Sequence, residues 1–265
     1  MLNTLLIYTA ILPLVLGVFV AISARAPQPL IQVVVAGVAL LIVYYGLEGL
    51  PPFPPVASKH KLFYGLLAIG AVSLIPRVGV AAAIAVAAAT VIWIGQRRLS
   101  GGAIPPGFVA LVLPLAATWF AARPTATDTG FIWPVPILVW AIAGSIISVD
   151  GGYIGSGQVL GALAALTGGA LLATYGGLLA KLANRPGLSE TATALFIAAG
   201  VAMLAGTAFF APKLSVPAIF LQHLVLVVPF FAPRIPVTHP LLRPVAIGVV
   251  SAIAAAPAVL VALFS

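Results

Sequence analysis

Long charge-free stretches are the feature of this sequence that most restricts its fold. Lysine, arginine, aspartate and glutamate divide the chain so that most of it falls into ten apolar stretches. A helix needs about 20 apolar residues, with a range of about 17–25, to cross the hydrocarbon core of a bilayer. Only the third stretch is shorter than this range. The stretches are 1–24, 26–47, 62–76, 78–96, 99–122, 129–149, 151–180, 191–212, 214–233 and 244–265.

The composition agrees with a membrane environment. Hydrophobic residues make up 63% of the chain and charged residues 6%, whereas about a quarter of the residues in a soluble domain are charged. Every backbone amide inside a bilayer must be paired within the protein, so uninterrupted apolar stretches become helices. Strands of a membrane barrel would instead alternate apolar and polar residues. The sequence therefore predicts an all-α polytopic transmembrane bundle of about ten helices, with nine as the alternative, short loops and no soluble domain.

Two of the stretches need separate interpretation. Residues 62–76 are too short for a comfortable span, so their helix is expected to begin within the preceding Lys-His-Lys sequence or to cross only in part. Residues 1–24 lack the positive n-region of a signal peptide and are interpreted as a first transmembrane helix. The chain is predicted to form one membrane domain, 1–265, with a weak indication of two halves, 1–128 and 129–265, and the orientation of its termini is left open.

The composition also excludes several kinds of chemistry. The chain has no cysteine, which excludes disulfides, thiolate metal sites and thiol redox reactions. Its formal net charge of +8 comes from basic residues scattered singly or in pairs, which is typical of membrane proteins and not of a nucleic-acid-binding surface. No metalloprotease or serine-hydrolase motif is present. No catalytic or metal-ligating residues are predicted, and an enzyme is the least favoured class.

The segment YYGLEGLPPFPPVASKHKLFYG, residues 44–65, contains the first candidate site. Glu48 ends an apolar helix, where the helix dipole disfavours an acid, so it is expected to have a partner. The counter-charges Lys59, His60 and Lys61 follow a proline-rich connection, which should be stiff and extended and lie over the bundle. Glu48 is therefore interpreted as the mouth of a pathway for a cation or a proton, or as half of a salt bridge that fixes this connection.

Asp150 begins a second candidate, the glycine-rich sequence DGGYIGSG at 150–157. A helix break at such a sequence exposes backbone groups that can line a cavity, and a flexible loop is the simpler alternative. No Gly-Lys-Ser or Gly-Lys-Thr follows, so a nucleotide-binding loop is disfavoured. Lys181, at the end of the stretch 151–180, is expected to extend to the membrane surface rather than to hold a retinal.

Gln222 and His223 form the third candidate, near the middle of the ninth apolar stretch. An imidazole at this depth can ligate a haem or another pigment, or hydrogen-bond a quinone. A haem with two histidine ligands is disfavoured because His60 and His239 lie in loops or at helix ends. The alternative is a Gln-His pair that hydrogen-bonds between helices, and no cofactor is predicted.

Two classes of function fit these features best. A small transporter or channel would place Glu48, Asp150, His223 and Gln222 along a path between helices. A non-catalytic subunit of a larger membrane complex is the alternative, because few polar residues are present to line a hydrophilic path. The expected partners are membrane lipids, and other membrane subunits or a second copy of the chain, but not nucleic acid. High usage of Ala, Gly, Pro and Arg favours a bacterial inner membrane.

Overall fold

A computed structural model of the chain describes residues 5–102, 104–123, 130–182, 187–237 and 239–265. The regular elements of these residues are all helical, and we group them into ten segments that follow the ten apolar stretches. The segments are α1 (Ile7–Ser23), α2 (Pro29–Glu48), α3 (Ser58–Val72), α4 (Gly79–Leu99), α5 (Pro106–Ala121), α6 (Pro134–Asp150), α7 (Ile154–Leu179), α8 (Glu190–Phe210), α9 (Val216–Arg234) and α10 (Arg243–Phe264).

Six of these segments, α2, α4, α7, α8, α9 and α10, are long and apolar enough to cross a membrane. They indicate an integral helical membrane protein, but they do not confirm ten spans, because α1, α3, α5 and α6 are shorter. The reason is that a charge-free stretch also includes residues outside its helix. Proline has no amide hydrogen and fits the first turn of a helix, so α5 begins at Pro106 and α6 at Pro134, several residues into their stretches.

The ends of two segments agree with the sequence interpretation. α3 begins at Ser58, so the Lys-His-Lys sequence lies in its first turn. The proline-rich residues 49–57 form no helix and lie against α3, where the Tyr64 hydroxyl is 3.4 Å from a carbonyl oxygen of this connection. Lys181 is exposed just after α7, with a φ of 52°, in the left-handed conformation that often closes a helix. The boundary expected between two halves, at 128 and 129, lies outside the described residues.

The central helix of the bundle is α8. Every residue from 192 to 209 is buried, and α8 contacts each segment from α2 to α7. The many alanine and glycine residues of α8 allow several neighbours to approach closely. The protein interior is therefore built around α8.

The backbones of α1 and α7 meet directly where the two helices cross. A Cβ atom at Gly17 of α1 would lie 2.9 Å from the backbone nitrogen of Ala170. A Cβ atom at Gly169 of α7 would lie 2.8 Å from the backbone carbonyl carbon of Leu14. Small residues permit such close approach between membrane helices. The crossing therefore depends on glycine at both positions.

The ninth segment changes helix type within the core. It is α-helical over Val216–Gln222, becomes a 3-10 helix over His223–Val227 and resumes as an α-helix at Val228–Phe231. Pro229 explains the change, because it has no amide hydrogen and its ring clashes with the carbonyl four residues earlier in an α-helix. This places Gln222 and His223, both buried, at the point where the α-helix ends.

Candidate functional site

A cavity of about 330 Å³ lies at the end of the bundle where α2 ends and where α3 and α7 begin. Its walls come from these three segment ends, from one side of α4 and α8, and from the connection between α6 and α7. The cavity thus brings together two sequence features that are about a hundred residues apart, Glu48 and the glycine-rich sequence. The lining residues are Tyr44, Glu48, Ser58, Lys59, Leu62, Ile94, residues 152–156, Val159, Ala202, Met203 and Gly206.

The charged groups of the cavity form one ion pair. Lys59 Nζ lies 2.8 Å from Glu48 Oε2 and donates a hydrogen bond to it. The pair connects the end of α2 to the first turn of α3, across the proline-rich residues 49–57. Its two members differ in exposure, because the side chain of Glu48 is 15% exposed and that of Lys59 is 53% exposed. Lys59 is thus the counter-charge that Glu48 finds, and it approaches the carboxylate from the solvent side.

A second neighbour of Glu48 is the first turn of α7. The N-cap residue of this helix, Tyr153, makes no side-chain capping hydrogen bond, so the first amide hydrogens of α7 have no partner within the helix. The Oε1 atom of Glu48 lies 3.5 Å from the position that a Cβ atom on Gly155 would occupy. A carboxylate is stabilised at the positive end of a helix dipole. The acid is therefore unfavourably placed on α2 but favourably placed opposite α7.

Neutral hydrogen bonds fix the polar wall of the cavity. Tyr44 donates its hydroxyl hydrogen to the carbonyl oxygen of Lys59 at 2.6 Å. The hydroxyl of Tyr153 lies 3.2 Å from Ser58 Oγ, and Ser156 Oγ donates to the carbonyl oxygen of Met203 at 2.8 Å. These bonds connect α2, α3, α7 and α8 around the cavity, so its polar groups are held in fixed positions.

Gly206 of α8 allows the wall to approach the central helix. A Cβ atom at this position would lie 2.6 Å from Ser156 Oγ and would overlap the ring of Tyr153. Because both Ser156 and Tyr153 line the cavity, a larger residue at 206 would displace the wall. Sequence reasoning did not identify Gly206, Tyr44 or Tyr153, because only the folded arrangement of the helices brings them together.

Asp150 does not line this cavity, although the loop that it begins does. It is exposed at the end of α6 and lies in a separate surface depression with Lys213 and the C-terminal Ser265. Its neighbours along the chain, residues 152–156, turn towards Glu48. The first residue of the glycine-rich loop thus lies in the surface depression and the following residues line the Glu48 cavity. The structure does not bring the Asp150 and Glu48 carboxylates into one cavity.

The other two basic residues of the Lys-His-Lys sequence do not bond Glu48. The Nδ1 atom of His60 accepts a hydrogen bond from the Ala57 amide at 3.4 Å. Lys61 Nζ donates to the carbonyl oxygen of Trp93 at 2.7 Å and lies 5.6 Å from the centre of the Trp93 ring. These contacts fix the start of α3 and its packing against α4, and they leave Lys59 as the basic residue of the cavity.

Gln222 and His223 are buried in the bundle, away from the Glu48 cavity. Trp140 Nε1 donates to His223 Nδ1 at 3.0 Å, and Gln222 Nε2 donates to the Trp140 carbonyl oxygen at 3.0 Å. Both residues of α9 therefore bond Trp140 of α6, which agrees with the alternative of a Gln-His pair that hydrogen-bonds between helices. Because the indole nitrogen only donates, a neutral His223 ring carries its hydrogen on Nε2, which has no partner among the described residues. The expectation that His223 holds no pigment, haem or quinone stays a prediction.

The opposite end of the bundle is closed by a hydrogen-bonded cluster around Gln32. The Nε2 atom of Gln32 donates to the carbonyl oxygens of Val20 and Gly187, and its Oε1 atom accepts from the Ser189 amide at 2.8 Å. The side chain of Gln32 is buried and ties together the end of α1, the start of α2 and the start of α8. We call these four residues the Gln32 cluster.

A second, larger opening on the molecule is apolar. It is an apolar groove of about 740 Å³ along the side of the bundle, between α1, α6, α7 and α10. None of its described lining residues carries a charge, which suits a surface that faces lipid. The groove thus differs from the Glu48 cavity, whose lining includes an ion pair and several hydroxyl groups.

No protein-family model matches this chain, and no curated protein or solved structure is similar to it. The function must therefore be inferred from the site itself.

Proposed function

We propose that this protein is a small membrane transporter whose solute enters the Glu48 cavity. The observation that carries the proposal is a mostly enclosed carboxylate, Glu48, in the wall of a cavity between helices of a membrane bundle. Charged groups within membrane proteins are costly and commonly mark the pathways of ions and substrates. Polar residues are scarce along the chain, but the Glu48 cavity is lined by an ion pair and by the hydroxyl-bearing residues Tyr44, Ser58, Tyr153 and Ser156.

The closed end of the bundle favours a transporter over an open channel. Leu40, Leu66 and Phe196 lie near the middle of α2, α3 and α8 and are each at most 2% exposed. They occupy the protein interior between the Glu48 cavity and the Gln32 cluster. A solute can pass only if the Gln32 end opens, and in the alternating access of secondary transporters the cavity end closes in turn.

Contacts between the loops support ten crossings in this proposal. The Lys213 amide, between α8 and α9, donates to the carbonyl oxygen of Gly151, between α6 and α7. At the other end, the Gly187 amide, before α8, donates to the carbonyl oxygen of Ala21 in the last turn of α1. These pairings are expected if successive segments alternate in direction, so we infer that the four shorter segments cross with the six longer ones.

The alternative, an accessory subunit of a membrane complex, has no specific contact in the structure that favours it and stays a prediction. Placement in a bacterial inner membrane likewise rests on composition alone. A transporter needs no partner protein for its basic activity, so purified protein in lipid vesicles is sufficient to test the proposal.

Thiol labelling tests alternating access without knowledge of the solute. The chain contains no cysteine, so each single-cysteine variant carries one thiol. We expect Ser156→Cys, in the cavity wall, to react with a membrane-impermeant reagent from the cavity side. Thr193→Cys is next to the Gln32 cluster and is expected to react more slowly and only from the opposite side. Both side chains are nearly buried, at 4% for Ser156 and 3% for Thr193, but only Ser156 lines the Glu48 cavity.

Ser251→Cys on α10 is the matched control, because Ser251 is fully buried and bonds the carbonyl oxygen of Ile247 within its own helix. Transport requires Thr193→Cys to label faster than Ser251→Cys. Equal, negligible labelling at these two positions, together with labelling at Ser156→Cys, would show a cavity that never opens to the other side, and the transporter proposal would be rejected.

A further inference from the structure

The two charges of the cavity are not equivalent, and their difference restricts what can bind there. The Glu48 side chain is 15% exposed, whereas the Lys59 side chain is 53% exposed. A half-exposed lysine can move its ammonium group into water at little cost, because its long side chain is flexible. The carboxylate of Glu48 reaches water less easily, so it retains a preference for a positively charged neighbour in addition to the first turn of α7.

Consequently, the cavity favours an occupant that brings a positive charge to Glu48 in place of Lys59. We propose that the solute of this cavity is a small organic cation, an alkylammonium compound, and that Lys59 is a tethered competitor that holds its place when the cavity is empty. The inference rests on the proposed function in so far as it calls the bound molecule a transported solute. The cation-binding site itself does not require that the protein transports anything.

The remaining lining explains why the cation is organic. Leu62, Ile94, Val159 and Met203 form an apolar wall next to the carboxylate, which suits the hydrocarbon part of an amine. Tyr44 and Tyr153 also line the cavity, and aromatic residues attract ammonium groups. The volume of about 330 Å³ is at the small end of ligand pockets, which range over about 300–1,000 Å³.

A divalent metal ion fits this lining less well. Calcium takes about six to eight oxygen ligands, commonly from several carboxylates. Among the described residues that line the cavity, Glu48 is the one acid, and the described part of the chain contains no group of three or more His, Asp, Glu or Cys side chains. A single carboxylate beside an apolar wall is instead matched to one monovalent ammonium group.

The sign of the effect of Lys59 distinguishes three kinds of solute. For a cation, Lys59 competes for Glu48, so its removal strengthens binding. For a zwitterion such as an amino acid, Lys59 would hold the carboxylate of the solute, so its removal weakens binding. For an anion, Lys59 would be the main attraction, so binding would be lost without it.

The test is equilibrium binding to the purified full-length protein at fixed ionic strength, with propylammonium, alanine and propionate as probes. We expect propylammonium to bind the wild type in preference to the other two. Lys59→Gln and Lys59→Met should each bind it up to about fivefold more tightly, because the lost competitor is a partly exposed ion pair worth at most about 1 kcal/mol. Lys61→Gln is the matched control and should leave binding unchanged, since Lys61 bonds Trp93.

Three results would overturn the inference: weaker propylammonium binding in the Lys59 variants, preference of the wild type for alanine or propionate, or no saturable binding of any probe. The binding experiment and the thiol-labelling experiment can fail independently of each other. Tight propylammonium binding in a protein whose Thr193→Cys never labels would retain the cation site and reject transport. If Ser156→Cys and Thr193→Cys label from their opposite sides but the protein prefers to bind propionate, the transporter proposal is retained and the organic-cation proposal is rejected.

Discussion

Replacing Glu48 by glutamine is expected to reduce the uptake of propylammonium into proteoliposomes at least about tenfold, to the level of protein-free vesicles. The change keeps the size and shape of the side chain but removes the charge that an ammonium group requires. A hydrogen bond to a charged group contributes about 1.5–3 kcal/mol, which corresponds to a loss in affinity of about ten- to a hundredfold. The measurement is the initial rate of uptake of labelled propylammonium.

Asp150→Asn is the matched control for this prediction. It makes the same chemical change at an exposed acid that belongs to a different depression at this end of the bundle. We expect its uptake rate to equal that of the wild type, and we expect both variants to keep the helical circular-dichroism spectrum. Full activity in Glu48→Gln, or an equal loss in Asp150→Asn, would show that the cavity does not select the solute.

The second large effect is expected at Gly169, where α7 meets the backbone of α1. Alanine at this position would place a Cβ atom against the Leu14 backbone, and neither backbone can yield without separating the helices. Overpacking of a tight core commonly costs about 1–3 kcal/mol, and more where the backbone must move. We therefore expect Gly169→Ala to lower the thermal unfolding midpoint in detergent strongly or to abolish folding.

Gly176→Ala is the control within the same helix, because a Cβ atom there has no neighbour within 4 Å. Alanine is about 1 kcal/mol more favourable than glycine in a helix, so this variant should match or exceed the stability of the wild type. Opposite effects of one substitution at two positions of α7 would assign the loss to the α1 contact. Equal stability of the two variants would show that the crossing is looser than the structure describes.

The sequence allowed the membrane class and the approximate helix positions to be predicted because both depend on local composition. An uninterrupted apolar stretch has few alternatives to a helix in lipid, and α3 begins at Ser58, so that it includes the Lys-His-Lys sequence before its apolar stretch. The sequence also identified Glu48 as a candidate site residue with a partner, because an acid at the C-terminal end of an apolar helix is unfavourable unless a positive group stabilises it. Lys59 was one of three candidates for that partner.

The remaining features could not be predicted because they depend on which helices are neighbours. All ten stretches have similar composition, so nothing in the sequence of α8 distinguishes a helix surrounded by protein from one that faces lipid. The position of α7 opposite Glu48, and the space that Gly206 leaves for Tyr153, are likewise contacts between residues far apart in the chain. Asp150 resembled Glu48 in sequence, yet the turn after it directs only the following residues into the cavity.

The central claim, that the Glu48 cavity is the chamber through which the solute passes, is tested most directly by filling the cavity reversibly. Ser156→Cys proteoliposomes would be treated with a bulky thiosulfonate reagent that forms a disulfide with the cavity thiol, and propylammonium uptake would be measured before treatment, after it and after reduction. We predict that uptake stops when the thiol is modified and returns when the disulfide is reduced. The account would be contradicted if uptake continued unchanged after the thiol was modified, or if the untreated Ser156→Cys protein took up no propylammonium.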